Sequence, residues 1–150
     1  MANEPRVLII EDHDALRAML FAILRHQPLA VDAAATLSAA LERISTCDYA
    51  LILIDMNLAR DGAEKFFDAF RRIRPESTSF IIAVRDPKHD IFIDPDLVSA
   101  VVNKPLEIDT LADVVRECAA VIPPPEEPLT CPPAESEILD RFDGGSQVPN

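Results

Sequence analysis

"LILIDMN", residues 51–57, decides how the rest of this chain is read. With Ala50 before it, an unbroken apolar run stops abruptly at a carboxylate, Asp55. A run this apolar suits a strand covered on both faces, and a charge at its end must find partners or water. Asp is also a common turn and helix-capping residue, so by itself Asp55 fits a plain cap equally well. The surrounding pattern separates the two readings.

Upstream, "RVLII" (6–10) reads as a second buried strand, and it too stops at acids, Glu11 and Asp12. Leu16, Met19, Leu20, Ile23 and Leu24 follow at i, i+3, i+4, i+7 and i+8, which is one helix face. "LAVDAA" (29–34) is a weaker strand, and Thr36 offers an N-cap to a helix with Leu37, Ala40, Leu41 and Ile44 inward. Downstream, Phe66, Phe67, Phe70 and Ile73 form another helical stripe, closed before Pro75. "SFIIAV" (79–84) and "SAVVN" (99–103) supply two more strands. A last helix over 109–121 buries Leu111, Val114, Val115 and Cys118, with Ile122 beyond it. Between the last two strands, Pro87 and Pro95 interrupt "RDPKHDIFIDPDLV" (85–98), so a shortened or partly irregular fourth helix is expected there. Alternating strands and helices with short connections predict an α/β fold, a parallel sheet covered on both faces. In such folds ligand chemistry sits outside the carboxyl ends of the strands.

The bulk properties bound what this fold can do. A chain of 150 residues with 49% apolar residues can bury a real core, and a mean hydropathy of +0.10 fits a folded, water-soluble domain. The net charge of −12 repels phosphate backbones, and no basic patch interleaved with aromatics offsets it, so direct nucleic-acid binding is not expected. No apolar run reaches bilayer length and the N-terminus lacks a signal-peptide pattern, so neither membrane insertion nor export is expected. Cys47, Cys118 and Cys131 are odd in number and lack metal-ligand spacing, which reads as free thiols in a reducing compartment, by default the cytoplasm. From Pro123 the character changes: residues 123–150 hold seven of the thirteen prolines, six acids and one base. The expected organisation is therefore one domain over 5–122 and a Pro-rich acidic tail over 123–150, largely extended or disordered. Ile138, Leu139 and Phe142 are its only candidate for an amphipathic turn.

In a parallel sheet the strand ends lie on one edge, so Glu11, Asp12 and Asp55 converge there with Lys104, which follows the fifth strand. Three carboxylates packed together repel unless a cation joins them, and hard oxygen donors suit Mg²⁺. A metal and a lysine facing one carboxylate would suit an incoming phosphoryl group, with that carboxylate attacking phosphorus in line. Each charge has a bland explanation singly: Glu11 and Asp12 as helix caps, Lys104 as a solvated surface group. Their joint placement at matched strand ends favours a site.

"VLIIEDHDALR" (7–17), "LILIDMN" (51–57) and "NKPL" (103–106) together resemble the receiver domain of two-component response regulators, over about residues 5–122. The resemblance implies a flavodoxin-like, doubly wound sheet of five parallel strands in the order 2-1-3-4-5. It implies Asp55 as phosphoacceptor, Asp12 as a direct Mg²⁺ ligand, Glu11 acting mainly through water, and the Asn57 backbone carbonyl completing the set. Lys104 would pair with Asp55 or its phosphoryl group, and Pro105 would set the turn that aims it, through a cis bond. The implied partners are a sensor histidine kinase or histidine phosphotransfer protein, and an unidentified downstream protein.

The sequence departs from the family at the switch positions. Arg85 stands where the family keeps Ser or Thr, and Val101 where it keeps an aromatic. Arg85 could grip a phosphoryl group, pair with unmodified Asp55, or simply point to solvent. The loop after Asp55 is short and has Ala59 at its usual proline position, Phe92 has no assigned place, and His13 reads as a loop residue facing solvent. The leading expectation is a single-domain response regulator that signals by docking and is not an enzyme. The alternative is a pseudo-receiver that docks without phosphorylation. A phosphatase of the haloacid-dehalogenase type would need a second Asp where Asn57 stands.

Overall fold

The computed structural model describes residues 4–121 and 131–146, the side chains of 141–146 excepted. Five strands, β1 (Arg6–Ile10), β2 (Ala30–Ala34), β3 (Leu51–Asp55), β4 (Phe80–Arg85) and β5 (Ala100–Asn103), form one sheet. Its order is β2-β1-β3-β4-β5 and every pairing is parallel. Helices α1 (Asp14–Arg25), α2 (Leu37–Thr46), α3 (Gly62–Ile73) and α4 (Ile108–Val121) surround it, and α5 (Glu135–Ser146) follows. The flavodoxin-like, doubly wound α/β fold expected from the sequence is the fold observed.

Strand alternation sorts the core into two layers. Leu8, Ile10, Ile52, Ile54, Ile81 and Ala83 face α2 and α3. Val7, Ile9, Leu51, Leu53, Ile82 and Val84 face α1 and α4. All five residues of β3 are buried, as its composition requires of a central strand. The phenylalanines of α3 serve as the stripe predicted: Phe66 is fully buried and stacks on Phe70 with ring centroids 5.6 Å apart. Thr36 caps α2 as read, its side chain accepting from the Ala39 N–H at 3.1 Å. His13 is exposed but is more than a loop residue. It is the N-cap of α1, with Nδ1 accepting from the Leu16 N–H at 3.2 Å. The approach to α3 is tight: Arg60 and Asp61 take positive φ, and a Cβ on Gly62 would meet Leu58 Cβ at 2.9 Å. Only glycine lets the turn close there.

The shortened or partly irregular fourth helix expected between β4 and β5 does not form: residues 86–99 are irregular throughout and contain no helix. Pro87 and Pro95 deny the ladder its donors, and Asp86 and Asp94 close local turns by accepting from the N–H groups of Lys88 and Asp96, each at 2.9 Å. Ile91, Ile93, Leu97 and Val98 of this segment still cover the sheet.

The tail departs from its expectation. Ile122, 123–130 and 147–150 lie outside the described residues, but 131–146 is neither extended nor detached: it contains α5, docked against β2. Polar contacts to β2 act together with apolar ones: Ala134 is fully buried and Cys131 packs against the core. β2 is an edge strand with open N–H groups; Ser136 Oγ accepts from Val31 N–H at 2.7 Å and Glu135 Oε1 from Ala33 N–H at 3.2 Å. Asp32, fully buried, accepts from the Glu135 N–H at 2.9 Å and so caps the start of α5 from another element. Arg6 Nη1 donates to the Pro132 carbonyl at 2.6 Å, Arg43 pairs with Glu135, and Arg25 pairs with Asp140 at 2.8 Å. Of the apolar residues singled out in this tail, Ile138 and Leu139 remain exposed, and the Phe142 side chain lies outside the described residues.

Candidate functional site

The carboxyl ends of β1, β3 and β5 meet as the topology demands. Backbone bonds extend the ladders past the strands and fix the groups that follow: Glu11 N–H to Ala34 O at 3.1 Å, Met56 N–H to Val84 O and Lys104 N–H to Arg85 O, both at 2.8 Å. Glu11, Asp12 and Asp55 each offer one carboxylate oxygen, and these lie within 4.8 Å of one another. Asp55 is 5% exposed and Glu11 1%, while Asp12 is open to solvent. Lys104 Nζ reaches Asp55 Oδ2 at 3.1 Å, and the Asn57 N–H donates to Asp55 Oδ1 at 2.9 Å. Asp12 Oδ2 accepts from the Ala59 N–H at 3.1 Å, which ties the loop after β3 to the loop after β1. The Lys104–Pro105 bond is cis.

Glu11 is the strained member. Its Oε2 accepts from the His13 N–H at 3.2 Å, but Oε1 is buried with no partner. Burial, then its contact with the Asp55 carboxylate, pushes its pKa up to about 8. A buried oxygen without a donor beside two further carboxylates is a donor set that fits a hard divalent cation such as Mg²⁺.

Arg85 does not pair with unmodified Asp55. Its Nε donates to Asn103 Oδ1 at 2.8 Å, directly across the β4–β5 register, and the cation on Asp55 is Lys104. Val101 sits on the edge strand, 42% exposed, and Phe92 is 82% exposed, so Phe92 does not fill the place of the absent aromatic. Two features were not foreseen. The Asn57 side chain joins the β4–β5 crossover: its Oδ1 accepts from the Asp86 N–H at 3.2 Å, and Nδ2 lies 3.1 Å from His89 Nδ1. Arg17 steadies the β1 end by donating to the Glu11 carbonyl at 3.1 Å.

No curated protein matches the chain. Among solved structures, a CheY-like response regulator receiver domain from Methylobacillus flagellatus is similar at 25% identity and TM-score 0.67, covering 77% of this chain and 98% of that one. A sensor protein from Polaromonas sp. JS666 shares 24% identity at TM-score 0.66, covering 79% and 98%. The Thermotoga maritima response regulator TrrA, solved in complex with Mg²⁺–BeF, shares 20% at TM-score 0.64, covering 76% and 98%. The response regulator receiver domain family matches residues 7–116, and with the strand order and the three motifs this places the chain in that family, a signalling module of two-component systems.

Proposed function

We propose that this protein accepts a phosphoryl group on Asp55 from a sensor histidine kinase or a histidine phosphotransfer protein and signals through protein–protein contacts. Receiver domains generally work with such donors. The observation that carries the reading is the junction of three carboxylates with Lys104 on the outer one of the buried pair, Asp55.

The chemistry follows from the geometry. An Asp55 oxygen attacks phosphorus of a phosphohistidine while the P–N bond breaks on the far side, and the imidazole keeps that electron pair and takes up a proton. The product is an acyl phosphate. The Asn57 N–H and Lys104 Nζ each hold one oxygen of the Asp55 carboxylate, which limits its rotation before attack. Lys104 is then placed to neutralise a phosphoryl oxygen. Glu11, Asp12 and Asp55, with the Asn57 backbone carbonyl, would hold Mg²⁺, whose positive charge offsets that of the incoming phosphoryl oxygens.

A module of the same fold that docks without phosphorylation is the second reading, and Arg85 committed to Asn103 is the observation on its side. Intact mass after incubation with Mg²⁺ and acetyl phosphate separates the two. One phosphoryl adduct is expected, absent in Asp55→Asn and strongly reduced in Asp12→Ala through weakened Mg²⁺ binding. An unmodified wild-type mass under these conditions would favour the second reading, and an adduct that survives Asp55→Asn would move the acceptor elsewhere.

A further inference from the structure

The irregular β4–β5 crossover leaves a groove of about 660 Å³ between itself and α3. Met56, Leu58 and Phe67 line it, joined by Ile91, Phe92, Leu97 and Val98 from the crossover. The charges around it are uneven: Asp61, Glu64, Asp68 and Asp94 against Arg71, with His89 at one end. Glu64, Phe67, Asp68 and Arg71 are spaced by three and four along α3, so one helical face supplies a whole wall. The opposite wall is fixed in part by the Asn57 side chain, which bonds Asp86 and His89. The groove is thus largely pre-formed.

We infer that this groove docks a cationic amphipathic helix of a partner protein, in the space between α3 and the helix-free crossover. An apolar floor edged by carboxylates matches a helix with an apolar stripe flanked by Lys or Arg. Strand addition to β4 is not available, because it is paired on both sides, with β3 and β5. Charge excludes the nearer occupants. The segment 122–130, "IPPPEEPLT", carries two acids, no base and four prolines, and a second copy of this chain brings a net charge of −12. Both meet the acidic rim with like charge. Exposed Phe92 lies on this groove and supplies apolar surface that a partner would cover. This inference does not depend on phosphorylation of Asp55.

The test is an NMR titration of the full chain with a Leu/Lys amphipathic helical peptide and with its Leu/Glu counterpart. Saturable shifts confined to the groove, at Leu58, Phe67, Phe92 and Val98, are expected with the Leu/Lys peptide and none with the other. Glu64→Lys combined with Asp68→Lys, both solvent-facing, should weaken binding about tenfold, and Phe92→Ala should weaken it by a smaller factor. Absence of saturable binding overturns the inference, as do shifts centred outside the groove or affinity indifferent to the charge reversals. Groove shifts that instead follow protein concentration without peptide would assign the surface to self-association and overturn it as well.

Discussion

Two buried carboxylates in this molecule, Asp32 and Glu11, sit at opposite extremes of satisfaction. Asp32 on β2 accepts from Arg6 Nε at 2.9 Å and Nη2 at 2.7 Å, from Tyr49 Oη at 2.7 Å and from the Glu135 N–H at 2.9 Å, with Arg43 Nη1 a further 3.6 Å away. Glu11, at the end of β1, has one oxygen with no partner at all and a second carboxylate, Asp55, beside it. A saturated buried charge holds elements together. An under-satisfied one waits for something that arrives later. The same residue class, one strand apart, is a structural staple in one place and a candidate ligand in the other.

Breaking the staple should therefore cost far more than neutralising the site. Asp32→Ala leaves Arg6, itself buried, without its partner and removes the cap of α5, so a loss of about 3–5 kcal/mol is expected. Asp55→Asn leaves Lys104 able to reach water, so its change should stay within about 1 kcal/mol. Urea unfolding of both variants checks the contrast. Equal losses would abolish the distinction between the two carboxylates.

Removing residues 122–150 sharpens the same comparison from the other side. The cut strips Asp32 of the Glu135 N–H, returns the Val31 and Ala33 N–H groups to water, and removes the carboxylates that pair with Arg43 and Arg25. Groups that regain water lose little each, so the expected cost is about 1–3 kcal/mol, smaller than that of Asp32→Ala. A thermal midpoint lowered by several degrees, with Mg²⁺ binding at Glu11, Asp12 and Asp55 retained, is the expected result. An unchanged midpoint would mean that α5 adds nothing to the stability of the domain.

These contrasts also mark what could be read from the sequence. The strand-end charges were legible because apolar runs that stop at acids, in a fold with one sense of strand direction, must bring those acids to one edge. The irregular crossover was legible in part, since Pro87 and Pro95 forbid a continuous helix. The docking of α5 was not. Its contacts join Val31 to Ser136 and Asp32 to Glu135 across more than a hundred residues, and paired polar groups leave no periodic trace. Ile138 and Leu139 give no guide to it, since both stay exposed. Arg85 likewise needed the register: only the pairing of Arg85 with Asn103 across β4 and β5 reveals its partner.

A smaller effect than either loss of the staple lies in the alkaline limb of stability, and it belongs to the same staple. Burial, and then the hydrogen bond it donates to Asp32, hold the Tyr49 phenol well above its usual pKa. The unfolded chain releases that proton near pH 10, whereas the folded one keeps it. The Tyr49 contribution is therefore fully present below about pH 10 and is lost as pH rises beyond it, because the unfolded state alone gains the ionised form. Tyr49→Phe should cost about 1 kcal/mol at neutral pH through the lost hydrogen bond to Asp32, and it should flatten the decline above pH 10. Unfolding curves taken at neutral pH and at steps above pH 10 measure both. A decline just as steep in Tyr49→Phe would assign the alkaline loss to other groups and remove Tyr49 from the titrating part of the staple.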